Sequence, residues 1–201
     1  MAADPPLVWY VARAAGLVAW ALSAATVLWG LALSSRALGR RPKPAWLADL
    51  HEHLGGLTVV FTAVHVGALA LDDYIEFTPT DLLVPFAAEW RPLAVAWGIV
   101  GLYLLLAIEG TSLLRRRVPT KLWRRVHRAS FMLFAAATTH LLTAGTDATQ
   151  PWLRWTVLLA VSAVVYLSAV RVLTPRRARR QTLPARSTST SARGVHARST
   201  S

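Results

Sequence analysis

Four histidines, His51, His65, His127 and His140, lie in two hydrophobic stretches of the chain, in pairs fourteen and thirteen residues apart. A ligating side chain inside a membrane is costly to bury, so such residues are functional by default. The spacing puts one histidine of each stretch near one membrane face and its companion near the other. That pattern suggests two bis-histidine metal centres stacked across a bilayer. Zinc prefers four close tetrahedral ligands, whereas each level here offers two, one from each stretch. A haem brings four nitrogens of its own and needs only axial ligands, which makes b-type haem the best candidate at both levels. The chain has no cysteine. Covalent C-x-x-C-H attachment, iron–sulfur clusters and disulfides are therefore excluded, and any haem is held noncovalently.

Such histidines need helices to carry them. The 201 residues are 54% hydrophobic, too apolar for an ordinary basic soluble domain. A spanning helix needs about 20 apolar residues. The sequence predicts five, over Leu7–Leu33, Leu50–Leu71, Pro92–Leu114, Val126–Leu142 and Trp152–Leu173. The expected fold is an all-α membrane protein, a bundle of about five transmembrane helices over residues 1–175. A basic, disordered cytoplasmic tail is expected over 176–201, rich in Ser, Thr and Arg. The first segment lacks the basic flank and cleavage site of a signal peptide and is read as a mature helix.

Charge sets the expected orientation. Arg36, Arg40, Arg41 and Lys43 follow helix one, Arg115, Arg116, Arg117, Lys121, Arg124, Arg125 and Arg128 follow helix three, and Arg176, Arg177, Arg179 and Arg180 follow helix five. The opposite loops hold Asp72, Asp73, Glu76, Asp81, Glu89 and Asp147. The positive-inside rule then places the N-terminus outside and the C-terminus in the cytoplasm. The net charge of +12 is mostly this topology signal, with anionic lipid rather than nucleic acid as its partner.

In the second segment, fourteen residues rise about 21 Å and return to within about 40° of the starting face, so His51 and His65 share a side. Thirteen residues in the fourth segment leave an offset of about 140°. His127 and His140 share a face only if the chain departs from an ideal helix at its entrance, tilts or supercoils, or carries a π-bulge. Gly55, Gly56, Thr58, Thr62 and Ala63 thin one helix, and Ala129, Ser130 and Ala135–Thr139 the other. Small residues allow close helix packing and also leave room for a flat macrocycle, with Phe61, Phe131 and Phe134 available to fill the space between two of them.

The run Leu50-His51-Glu52-His53-Leu54-Gly55-Gly56, then Phe61-Thr62-Ala63-Val64-His65, then Leu122-Trp123-Arg124-Arg125-Val126-His127-Arg128 and His140 resembles the ferric reductase-like transmembrane domain family over roughly residues 14–145. That family includes ferric reductases, the membrane half of NADPH oxidases and the haem subunit of methionine sulfoxide reductase systems. The resemblance implies two haem b groups, His51 with His127 on the cytoplasmic-side haem and His65 with His140 on the outer one. It implies a membrane cytochrome, an oxidoreductase subunit passing electrons to an acceptor outside: a ferric chelate, dioxygen or a redox protein. No G-x-G-x-x-G and no strand–helix alternation follow the last helix, so the expected donor is a separate flavoprotein or a membrane quinol. A flavin at the inner site is the other conceivable occupant.

His53 lies about 200° around the helix from His51 and is read as a non-ligand, as is His196 in the tail. Arg13 is expected to snorkel to headgroups or to meet an outer propionate. Arg124, Arg125 and Arg128 are candidates for inner propionates, and Glu109 either pairs with a loop arginine or is simply interfacial. Two other classes compete: a divalent-metal transporter using His51, His53 and His65, which would want mid-membrane carboxylates, and a membrane anchor or assembly protein with incidental histidines.

Overall fold

The computed structural model describes residues 7–34, 45–73 and 75–173. It is built of helices: α1 (Leu7–Ser34), α2 (Ala45–Ala70), α3 (Pro79–Leu83), α4 (Pro92–Leu113), α5 (Thr120–Arg128), α6 (Ser130–Ala144) and α7 (Pro151–Leu173). The basic tail and the loop carrying Arg36, Arg40, Arg41 and Lys43 lie outside the described residues.

Four helices, α1, α2, α4 and α7, are long and apolar enough to cross a membrane. They coincide with four of the five expected segments, α2 starting one turn early at Ala45. The fifth, Val126–Leu142, departs from expectation: it is not one helix but the end of α5 followed by α6. The break is at Ala129 (φ −67°, ψ −5°), whose N–H donates to the Val126 carbonyl three residues back, tightening the last turn. α5 carries Lys121, Arg124, Arg125 and Arg128 on its exposed surface, a charge density that hydrocarbon does not accept. α6 has 15 residues and rises about 22 Å, less than the roughly 30 Å of a hydrocarbon core.

α1 lies along α2, α4 lies along α6, and α6 and α7 close against α1. Trp20, Ala24, Val27 and Leu31 of α1 pack with Phe134 and Leu141 of α6 and Leu153, Val157 and Val164 of α7. Phe134 thus belongs to the helix core, while Phe131 is exposed. The buried indole of Trp20 donates to Thr138 Oγ1 at 3.0 Å, so the polar atoms of the α1–α6 interface satisfy each other.

The connection between α2 and α4 is a cap. Thr78 and Asp81 form a reciprocal capping box that starts α3. Tyr103 of α4 donates its hydroxyl to the Leu83 carbonyl at 2.6 Å, and Phe77 packs edge-on against Trp90. Arg91 then turns the chain in a left-handed conformation (φ 44°) into α4 and donates to the Thr143 carbonyl at the end of α6.

Candidate functional site

α2 presents His51 and His65 one above the other, α5 presents His127, and α6 presents His140. The His51 and His127 rings are 5.9 Å apart, centroid to centroid, with planes at 72°. The His65 and His140 rings are 6.3 Å apart at 73°. The helix break at Ala129 absorbs the angular mismatch of the thirteen-residue spacing, because His127 and His140 sit on different helices. An imidazole nitrogen binds a metal at about 2.0–2.1 Å and lies roughly 1.1 Å from its ring centre, so two imidazoles on opposite sides of one metal ion have centres about 6.3 Å apart. Both ring pairs match that width.

The outer pair sits in a repeated backbone device. His65 Nδ1 is 2.7 Å from the Ala12 carbonyl of α1, and His140 Nδ1 is 2.8 Å from the Ala94 carbonyl of α4. A carbonyl only accepts, so Nδ1 carries the proton and Nε2 keeps its lone pair for a metal. Four residues on from each carbonyl stands a glycine. A methyl group at Gly16 would be 2.8 Å from His65 Nδ1, and one at Gly98 would be 2.8 Å from His140 Nδ1 and Cε1. The missing side chain is what lets the ring reach a carbonyl already engaged in its own helix.

The inner pair has only part of this arrangement. On α1, Thr26 and Gly30 stand fourteen residues after Ala12 and Gly16, matching the interval from His51 to His65. A methyl group at Gly30 would be 3.0 Å from His51 Cε1, and the Thr26 carbonyl faces the ring. Nevertheless His51 Nδ1 makes no hydrogen bond, and neither does the buried Nδ1 of His127. His127 is instead stacked on Trp123 of its own helix, centroids 5.2 Å apart.

A partly open cavity of about 240 Å³ surrounds the outer pair. Gly16, Gly98, Thr58, Thr62 and Leu105 are among its walls, and Ile75, Phe77, Leu82 and Trp90 of the cap cover it. Of the Leu82–Phe86 stretch only Leu82 contributes to this cover, because Leu83, Val84 and Phe86 are exposed. A mostly apolar cavity with an imidazole from each of two helices in its walls, their rings one metal-width apart, fits a haem. Among the described residues no three His, Asp, Glu or Cys side chains converge as a metal cluster.

Several polar residues differ from expectation. Arg13 neither snorkels nor stands free for a propionate: it forms a bidentate ion pair with Asp147, the one salt bridge among the described residues. Its guanidinium also lies over Trp9. Asp147 is 6% exposed and Arg13 37%, so a buried carboxylate at the α6–α7 turn finds its counter-charge on α1 at the edge of the cavity. Glu109 pairs with no arginine among the described residues; its carboxyl end lies over Gly55, where a methyl group would be 2.7 Å from Oε1. His53 is exposed and bonds the Asp49 carbonyl of its own helix, away from both ring pairs, and His196 lies outside the described residues.

Sequence reading missed the three glycine notches, the Arg13–Asp147 pair and the Trp123 stack. One trace was present: Gly16 and Gly30 repeat the fourteen-residue interval of His51 and His65.

The family model of the ferric reductase like transmembrane component matches residues 15–138, more than half of the chain. The match includes His51, His65 and His127 and ends two residues before His140. No curated protein and no solved structure matches.

Proposed function

Because the chain belongs to the ferric reductase-like transmembrane family, a group of membrane electron-transfer components whose domains commonly bind haem, we propose that it is a di-haem membrane cytochrome. His51 and His127 hold one b-type haem, and His65 and His140 hold the other. The observation that carries this reading is the width of the two ring pairs, 5.9 and 6.3 Å, each the span of one metal ion. When bound, each haem supplies reversible one-electron chemistry at its iron.

The chain's own residues do the rest. His65 and His140, whose Nδ1–H groups donate to the Ala12 and Ala94 carbonyls, offer Nε2 to the metal. The cap residues Leu82, Phe77 and Trp90 keep bulk water from the outer pair. The basic side, with Arg115–Arg117 and α5, faces the cytoplasm, and the cap faces out. Electrons enter at the inner level from a separate flavoprotein or a membrane quinol and leave at the outer level to a ferric chelate, dioxygen or a redox protein.

The test is a dithionite-reduced minus oxidised spectrum with a pyridine haemochrome assay on the purified protein and four single variants. Two haems per chain are expected. His51→Ala and His127→Ala lose the same one, and His65→Ala and His140→Ala lose the other. Protein expressed with ample haem supply that binds none overturns the reading.

A further inference from the structure

The four histidines are not equally prepared. His65 has both parts of the notch, a 2.7 Å bond to the Ala12 carbonyl and the open space of Gly16. His140 has both parts on α4, a 2.8 Å bond to the Ala94 carbonyl and Gly98. His51 has the glycine, Gly30, but no completed bond. Among the described residues, no glycine faces His127, and its Nδ1 makes no bond; it has the flat contact with Trp123. The cavity described above has His65 and His140 among its walls.

A hydrogen bond from the non-ligating nitrogen fixes which nitrogen faces the metal, holds the ring's rotation and raises the ligand's basicity. Both outer histidines have this support in full; of the inner two, His51 faces the Thr26 carbonyl across Gly30 without closing a hydrogen bond at Nδ1, and His127 has neither part. Resting on the cytochrome reading above, we infer that the two haem sites differ in retention: the outer site holds its haem longer, and the inner site loads last and empties first. Gly16 and Gly98 are the positioning residues that create the difference, each admitting a ring to a backbone carbonyl. At limiting haem the chain then carries one haem, at the outer level, and electron entry waits for the second.

Loss of one outer-shell partner weakens a metal site by roughly 10–100-fold, so haem departure from the two levels is expected to differ by at least about tenfold. The experiment uses full-length, haem-loaded protein mixed with excess apomyoglobin, followed by the visible spectrum as haem transfers. Unsubstituted protein should release haem in two phases of equal amplitude. His65→Ala, with only the inner site, should show the fast phase, and His51→Ala, with only the outer site, the slow one. Protein made under limiting haem should bind one haem per chain, with the spectrum of the His51→Ala variant. Release of both haems at one rate, or faster release from His51→Ala, overturns the inference and leaves the cytochrome reading intact. A chain that binds no haem overturns both. The biphasic release of the unsubstituted protein tests the inference even if a variant fails to fold.

Discussion

Replacing Gly16 with alanine sets two effects of opposite sign against each other. In a helix interior, alanine is favoured over glycine by about 1 kcal/mol, so the haem-free fold of Gly16→Ala should be as stable as the original or more so. The new methyl group, however, would stand 2.8 Å from Nδ1 and 2.9 Å from Cε1 of His65. Non-bonded contacts of this kind settle at about 3.5–4.0 Å, so the ring must withdraw by roughly 0.7 Å. That displacement stretches the 2.7 Å bond to Ala12 beyond the usual hydrogen-bond range of about 2.7–3.2 Å, and it exceeds the roughly 0.5 Å within which a functional geometry must be held. The expected result is a 10–100-fold weaker outer haem site, on the scale of a lost outer-shell partner, with the inner haem retained. Haem per chain from a pyridine haemochrome assay, paired with thermal unfolding of the haem-free protein, reads both effects. Gly67→Ala is the control, because a methyl group there meets nothing within 4 Å. Full outer-haem occupancy and unchanged affinity in Gly16→Ala would refute the notch argument.

Three other substitutions probe separate parts of the bundle. Trp123→Ala removes the surface stacked on His127 and should reduce inner-haem occupancy alone, whereas Trp123→Phe, which keeps a flat face, should restore most of it; reduced-minus-oxidised spectra read both. Arg13→Ala leaves the buried carboxylate of Asp147 without a counter-charge and should cost about 2 kcal/mol, less than the 3–5 of a fully buried pair because Arg13 is partly exposed. Arg13→Ala with Asp147→Asn should recover part of that loss, measured by unfolding in detergent. Tyr103→Phe deletes the bond to the Leu83 carbonyl and should destabilise by about 0.5–1.5 kcal/mol while speeding oxidation of the outer haem by a soluble ferric chelate, followed by stopped-flow absorbance.

The sequence was legible wherever one residue type at a fixed interval determined the outcome. Long apolar runs located α1, α2, α4 and α7 because a span needs only length and hydropathy. The paired histidines stood out because imidazoles are rare in such runs. The thirteen-residue spacing calls for a departure from ideal helix near His127 but does not locate it: apolar content hides the change from a polar, arginine-bearing surface helix to a short apolar one, and no proline or glycine marks Ala129. Arg13 was misassigned because its partner lies 134 residues away, beyond any local pattern. The glycine notches were invisible for a related reason. A glycine in a membrane helix ordinarily reads as helix packing, and only the neighbouring helix reveals that an imidazole fills the space.

The notch also determines where mutation can harm the site. At His65 and His140 the hydrogen-bond acceptor is a main-chain carbonyl, which every amino acid supplies, so no substitution at Ala12 or Ala94 deletes the acceptor itself. The genetic information for the second half of each contact is concentrated in one codon, that of Gly16 or Gly98, where any side chain larger than hydrogen collides with the ring. A saturation library across α1 should accordingly reject even alanine at position 16, whereas the buried position 12 should reject only residues larger than its own alanine, with the same pair of profiles at 98 and 94 on α4. In that sense each outer histidine is inherited as a two-residue unit, the ligand and a glycine on another helix.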